Sequence, residues 1–186
     1  MSNHHITNDS TPLPPREGQG GGVLLFPGSF DPFTLGHADL VERALQLFDE
    51  VVIAVGINEQ KAGWIPVEER VRAIRILYKE QARVRVESYS GLTTDFAHSI
   101  GAKVILRGVR TVKDFEYEMQ MADVNRQLTG IDTVVLFTDP RYASLSSSIV
   151  RELAHFGKDI TAFLPEGYKA SPPTPLSKGR GGSLRQ

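Results

Sequence analysis

Five short apolar runs, rich in β-branched residues, punctuate the chain: Val23–Phe26, Val51–Ile57, Val84–Glu87, Val104–Leu106 and Thr133–Phe137. Each is continuous rather than alternating in polarity, as expected of a strand covered on both faces of a parallel sheet. Between the runs, apolar positions recur at helical spacing. Ala38, Val41, Leu45 and Phe48 share one face, as do Val67, Val71, Ile74 and Tyr78. Phe96, Ala97 and Ile100 follow, then Tyr117, Met121, Val124 and Leu128, and finally Ile149, Val150, Leu153 and Ala154. Five strands alternating with helices predict an α/β fold: a doubly wound, five-stranded, Rossmann-like parallel sheet with right-handed crossovers. Ligands of such sheets bind beyond the carboxyl ends of the strands.

The ends differ in kind. Residues 1–22 are polar and close on Gly20-Gly21-Gly22, and residues 169–186 carry Pro172-Pro173 and a Gly/Arg stretch. Neither offers enough apolar surface to offset its ordering entropy, so both are expected to be flexible tails around one domain spanning 23–168.

Composition then narrows the function classes. A net charge of −1 gives no global attraction to nucleic acid or to acidic membranes, so any anion site must be local. The absence of cysteine removes disulfides, thiolate metal sites and thiol nucleophiles. No apolar run is long enough to cross a bilayer, and the N-terminal stretch lacks a signal core, which leads us to expect a cytoplasmic protein.

Candidate chemistry sits directly after the apolar runs. The first leads into Pro27-Gly28-Ser29-Phe30-Asp31-Pro32 and then Thr34-Leu35-Gly36-His37, a glycine turn feeding a helix N-terminus. Free backbone N–H groups in such a turn suit phosphate, and His37 adds a side-chain donor. Asp31, ahead of a proline, reads as a turn-stabilising carboxylate rather than a base. The second run is followed by Lys61, the fourth by Arg107-Gly108-Val109-Arg110, and the fifth by Ser146-Ser147-Ser148 at another helix start. If the sheet forms as expected, three cations and two helix dipoles meet at one edge, each helix end contributing up to ~1 kcal/mol on an exposed anion. Simple capping explains one of the three serines. Isolated readings remain available for single residues: a solvated Lys61, arginines paired with Asp114 or Glu116, a turn-capping Ser29, a surface Glu118. His98 and His155 read as surface or packing residues.

Taken together, these motifs resemble the bacterial phosphopantetheine adenylyltransferase family, of the nucleotidyltransferases marked by (His/Thr)-x-Gly-His. Matching segments also include Glu68-Glu69-Arg70, Asp114-Phe115-Glu116-Tyr117-Glu118, Met119-Gln120-Met121-Ala122 and Phe163-Leu164-Pro165, in family order over residues 23–168. The resemblance implies adenylyl transfer from ATP to 4′-phosphopantetheine, giving dephospho-coenzyme A and pyrophosphate by direct in-line attack. It implies His37, Lys61, Arg110 and Ser29 as catalytic residues. Ser29, Lys61, Thr93 and Arg107 would bind the acceptor. Ser29, Phe30, His37, Gly108, Val109, Arg110, Glu118 and the stretch Tyr142, Ala143, Ser144, Leu145, Ser146, Ser147 and Ser148 would bind ATP. Mg2+ would arrive bound through the ATP phosphates, with no metal site of the protein's own. A homohexamer is implied, and Met119, Met121 and Leu128 are expected in the core or at a subunit interface. One departure is Ile65-Pro66-Val67, where the family has aromatic-Thr-Leu; a slightly altered helix start is expected. Two other readings stand beside this one: an adenylyl- or cytidylyltransferase with another acceptor, such as nicotinate mononucleotide, and a catalytically silent nucleotide-binding module.

Overall fold

The computed structural model describes residues 21–58, 60 and 63–170. Lys61 and most of both terminal stretches lie outside the described residues. Five parallel strands form one sheet: β1 (Val23–Gly28), β2 (Glu50–Gly56), β3 (Val84–Tyr89), β4 (Val104–Val109) and β5 (Asp132–Phe137). Their spatial order is β3-β2-β1-β4-β5, so the direction of winding reverses between β1 and β4. The helices are α1 (Leu35–Ala44), α2 (Val67–Leu77), α3 (Thr93–Ser99), α4 (Val112–Thr129) and α5 (Ser147–His155).

The core lies in two layers, one on each face of the sheet. On one face Phe26, Ile53 and Val55 pack with Leu40, Val41 and Ala44 of α1 and Val71 and Ile74 of α2. On the other, Leu25, Val52, Ala54 and Ile105 pack with Ala97 of α3. The alternate residues of β1 and β2 thus serve opposite layers, which is why both strands read as unbroken apolar runs.

The strands run further than their apolar runs. Pro27 and Gly28 stay in register with Ala54 and Val55, and Arg107, Gly108 and Val109 pair with Val135, Leu136 and Phe137. Residues expected just past the sheet therefore form its last rungs, because pairing with a neighbouring strand outweighs weak strand propensity. The expectation of five strands covered on both faces holds in the middle of the sheet and fails at its edges, where β3 and β5 are only half buried. The larger correction concerns α4, whose apolar residues were candidates for the core. None of its residues is buried, and Tyr117, Met119, Val124 and Leu128 are exposed, Leu128 at 77%.

Helix starts follow capping chemistry. Thr111 Oγ1 accepts the Asp114 N–H at the head of α4, and Ser146 Oγ accepts the Ile149 N–H at the head of α5. Pro66 stands just before the first residue of α2, with Glu68 and Glu69 in the first turn, where the helix dipole favours them.

Candidate active site

At the switch between β1 and β4 a cleft of about 300 Å³ opens beyond the strand ends. Its floor is Pro27 and Gly28 from β1 with Arg107 and Gly108 from β4, and its walls are the N-terminal turns of α1 and α5. Small residues are required here. A Cβ on Gly108 would lie 2.4 Å from Leu40 Cδ1, and one on Gly28 would lie 2.9 Å from the Phe30 ring.

Thr34 and His37 cap the start of α1 reciprocally. His37 occupies the third helical position, where glutamate commonly reaches back to the cap residue. Its Nδ1 accepts the Thr34 backbone N–H at 3.0 Å and lies 3.1 Å from Thr34 Oγ1. Because Nδ1 is an acceptor, the neutral ring carries its proton on Nε2. The imidazole is set among Phe30 and Phe33, with ring centroids 5.1 and 5.4 Å away. Burial in this apolar nest, with the nearby Arg110 guanidinium adding to the effect, lowers the His37 pKa to about 4. At neutral pH it is an uncharged Nε2–H donor at the cleft.

The two expected arginines are present but partnered. Arg107 Nε lies 3.1 Å from Glu118 Oε2, and Arg107 also donates to the Pro27 carbonyl at 3.2 Å. Glu118, expected beside the nucleotide, lines the cleft as the counter-charge that orients this guanidinium. Arg110 pairs with Asp114 at 3.3 Å and is close to the Leu145 carbonyl. That pair is substantially exposed and weak, so Arg110 can exchange it for a phosphate at small cost.

The serine run has more structural work than expected. Ser146 caps α5, Ser147 Oγ donates to the Pro32 carbonyl at 2.8 Å, and Ser148 Oγ accepts from Arg151 at 3.1 Å. The hydroxyls thus fix the local geometry, and with the Ile149 N–H taken by Ser146 the Ser147 and Ser148 N–H groups of α5 remain for an anion. Arg151, one turn after Ser148, lines the cleft and was not singled out in the sequence; its spacing from the serines on one helix face was the available signal.

Among the remaining expected residues, Ser29, Phe30, Gly108 and Leu145 line the cleft. The Phe30 ring is packed in the core beside His37. Val109 is buried, and Tyr142, Ala143 and Ser144 stand beside the cleft rather than in its lining; the Tyr142 Cβ comes within 3.5 Å of where a Cβ on Gly36 would be. Thr93 is outside the lining, at the head of α3, with its hydroxyl 2.8 Å from that of Tyr89. Asp31 behaves as a turn carboxylate, accepting the Trp64 and Ile65 N–H groups at 2.7 and 2.8 Å. Among the described residues no cluster of three metal-ligating side chains occurs, and no helix is long and apolar enough to cross a membrane.

Two converging helix N-termini, arginines from a strand end and its following turn, and a neutral imidazole donor make a site for a polyphosphate and a second anionic group together. Comparisons with known proteins agree with this chemistry. The cytidylyltransferase-like family model matches residues 25–153. A phosphopantetheine adenylyltransferase of Phocaeicola vulgatus is 57% identical over 145 residues, 78% of this chain and 96% of that protein. Proteins of the same name from Bacteroides fragilis and Heliobacterium modesticaldum are 55% and 50% identical, covering 78% and 80% of this chain and 97% and 89% of their own lengths. In fold the chain is similar to a crystal structure assigned as a nicotinate-nucleotide adenylyltransferase from Vibrio parahaemolyticus, with TM-score 0.56 and 21% identity over 79% of this chain and 96% of that one.

Proposed function

This chain belongs to the phosphopantetheine adenylyltransferase family and is a nucleotidyltransferase of coenzyme A biosynthesis, and we propose that its cleft works by direct in-line transfer without a covalent enzyme intermediate. The reaction moves the adenylyl group of ATP to 4′-phosphopantetheine. An acceptor phosphate oxygen forms a bond to the α-phosphorus of ATP as the bond from that phosphorus to the pyrophosphate oxygen breaks. Dephospho-coenzyme A and pyrophosphate result.

The observation that carries this reading is the His37 ring, held by Thr34 as a neutral Nε2–H donor between two helix N-termini. Such a donor hydrogen-bonds a non-bridging α-phosphate oxygen as its charge grows, and it has no need to lose its proton. Arg107, released from or shared with Glu118, binds the phosphopantetheine phosphate; Arg110 and Ser29 bind ATP phosphates, joined by Lys61. The N–H groups at the head of α5 take the outer phosphates. The Glu118 carboxylate of the cleft is committed to Arg107, so Mg2+ would come with the nucleotide, held through its phosphate oxygens, and would supply charge neutralisation for the pyrophosphate. A cytoplasmic location, where ATP is available, belongs to the same reading.

The exposed apolar surface of α4 supports assembly into a homohexamer. A monomer seldom leaves Tyr117, Met119, Val124 and Leu128 open on one helix. The deciding experiment for the reaction is pyrophosphate release with ATP and either 4′-phosphopantetheine or nicotinate mononucleotide, with and without Mg2+. Turnover is expected with the first acceptor and magnesium only. Turnover confined to nicotinate mononucleotide, or tight ATP binding with no pyrophosphate from either, would reject the reading.

A further inference from the structure

Buried polar side chains gather behind one loop of the molecule. Of the four buried polar or charged residues among those described, Asp31, Thr34 and Arg70 adjoin the stretch between β1 and α1, and only Thr94 lies elsewhere. Arg70, on α2, is 5% exposed; its Nε donates to the Ile65 carbonyl at 2.8 Å and its Nη1 to the Ser29 carbonyl. The Asp31 carboxylate answers in the opposite sense, accepting the backbone N–H groups of Trp64 and Ile65. From the far end of the domain, the buried Tyr168 hydroxyl accepts the Phe33 N–H at 3.3 Å. Burial raises the Tyr168 pKa, the Phe33 hydrogen bond opposes that rise, and Asp31 and Arg70 are both near enough to act on the phenol.

Apolar side chains could fill this volume more cheaply than a buried guanidinium and carboxylate. What polar groups add is fixed backbone geometry, and the loop needs it. Phe30 holds φ at 48°, a left-handed conformation unfavourable for a bulky residue that persists only where its surroundings enforce it. On either side of Phe30 the brace takes hold of the Ser29 carbonyl and the Phe33 N–H. The same few residues present Ser29 and the Thr34–His37 cap to the cleft.

We propose that Asp31, Arg70 and Tyr168 form a brace behind the phosphate loop and are positioning residues for the transfer reaction, setting where Ser29 and the His37 donor stand relative to the reacting phosphates. The proposal rests on the adenylyltransferase reading. Misplacing catalytic groups by about 1 Å can cost on the order of 100-fold in rate. Arg70→Met should therefore lower kcat by about 30- to 100-fold while KM for either substrate changes by less than about 5-fold. Arg70→Lys should recover part of that loss, because an ammonium reaches one of the two carbonyls but not both. Tyr168→Phe keeps the ring and removes only the acceptor, and should lower kcat by about 5-fold or more.

The test measures kcat, KM, ATP affinity by calorimetry and Tm for the wild type and the three variants, at a temperature well below every Tm. A role in stability alone would lower Tm and leave kcat at the wild-type value in folded Arg70→Met and Tyr168→Phe, and that result overturns the proposal. Should Arg70→Met fail to fold, Tyr168→Phe decides, with kcat within 2-fold of wild type counting against the brace. Should the wild type bind ATP yet not turn over phosphopantetheine, the functional reading fails by itself. The brace is then judged on ATP affinity, expected to weaken by about 2- to 3-fold in Tyr168→Phe and overturned by an unchanged value.

Discussion

The hydrogen bond from the Thr34 N–H to His37 Nδ1 both caps α1 and chooses the tautomer of the ring that faces the cleft. His37→Ala should reduce kcat by about 100- to 1,000-fold, the cost of removing one transition-state donor, with a small change in ATP affinity; steady-state kinetics and calorimetry on one preparation check both halves. The lowered His37 pKa also has a sign for stability. An unfolded histidine takes up a proton below about pH 6.5, whereas the folded one resists until about pH 4. The unfolded state therefore binds more protons between these values, and stability falls as pH drops through them. The loss, complete below about pH 4, is on the order of 3 kcal/mol for this group, and full stability is present above pH 6.5. Urea unfolding of wild type and His37→Gln between pH 4 and 7 should show the wild type losing more over that interval; titration of the ring by NMR with a pKa near 6.5 would contradict the assignment. At this scale Thr-x-Gly-His was legible because its chemistry is local. Arg70 and Arg151 were not, because a charged residue in a helix reads as a solvated face until its neighbours are placed.

Elements explain why the site can be so narrow. β1 and β4 carry their pairing through Gly28 and Gly108, so the strand ends themselves form the cleft floor, and the Leu40 side chain of α1 packs directly onto Gly108. Gly108→Ala would press its new methyl into Leu40, and overpacking of a buried contact of this kind costs about 1–3 kcal/mol. Chemical denaturation should show that loss, and an unchanged midpoint would mean α1 can shift away freely. The element boundaries departed from the sequence reading in one consistent direction. Turn-like residues such as Pro27, Gly28 and Gly108 remained in strands because their neighbours supplied a register. The serine run departed similarly, its hydroxyls engaged by Ile149, Pro32 and Arg151, partners of which only Pro32 is distant in sequence.

Across the whole molecule the apolar surface is unevenly closed. The sheet's two core layers are sealed around β1 and β2, while α4 and the edge strand β5 present Leu128, Val124 and Phe137 outward. Apolar periodicity in α4 marks a stripe expected in the core or at a subunit interface, and the structure leaves it out of the core, since periodicity reports that a face wants cover, not what covers it. On the proposed homohexamer, Leu128→Glu should leave the monomer fold intact and shift the sedimentation velocity profile towards smaller species. A monomeric wild type at micromolar concentration would remove the hexamer from the reading.

Local physics, written in the chain itself, settled the alternation of strand and helix, the parallel sheet and the phosphate-suited turns, because runs, spacing and caps involve residues a few positions apart. Tertiary structure alone decided the strand order that brings β4 beside β1, the pairing of Arg107 with Glu118, and the burial that keeps His37 uncharged. These depend on groups far apart in sequence whose interaction exists only once water has been excluded between them.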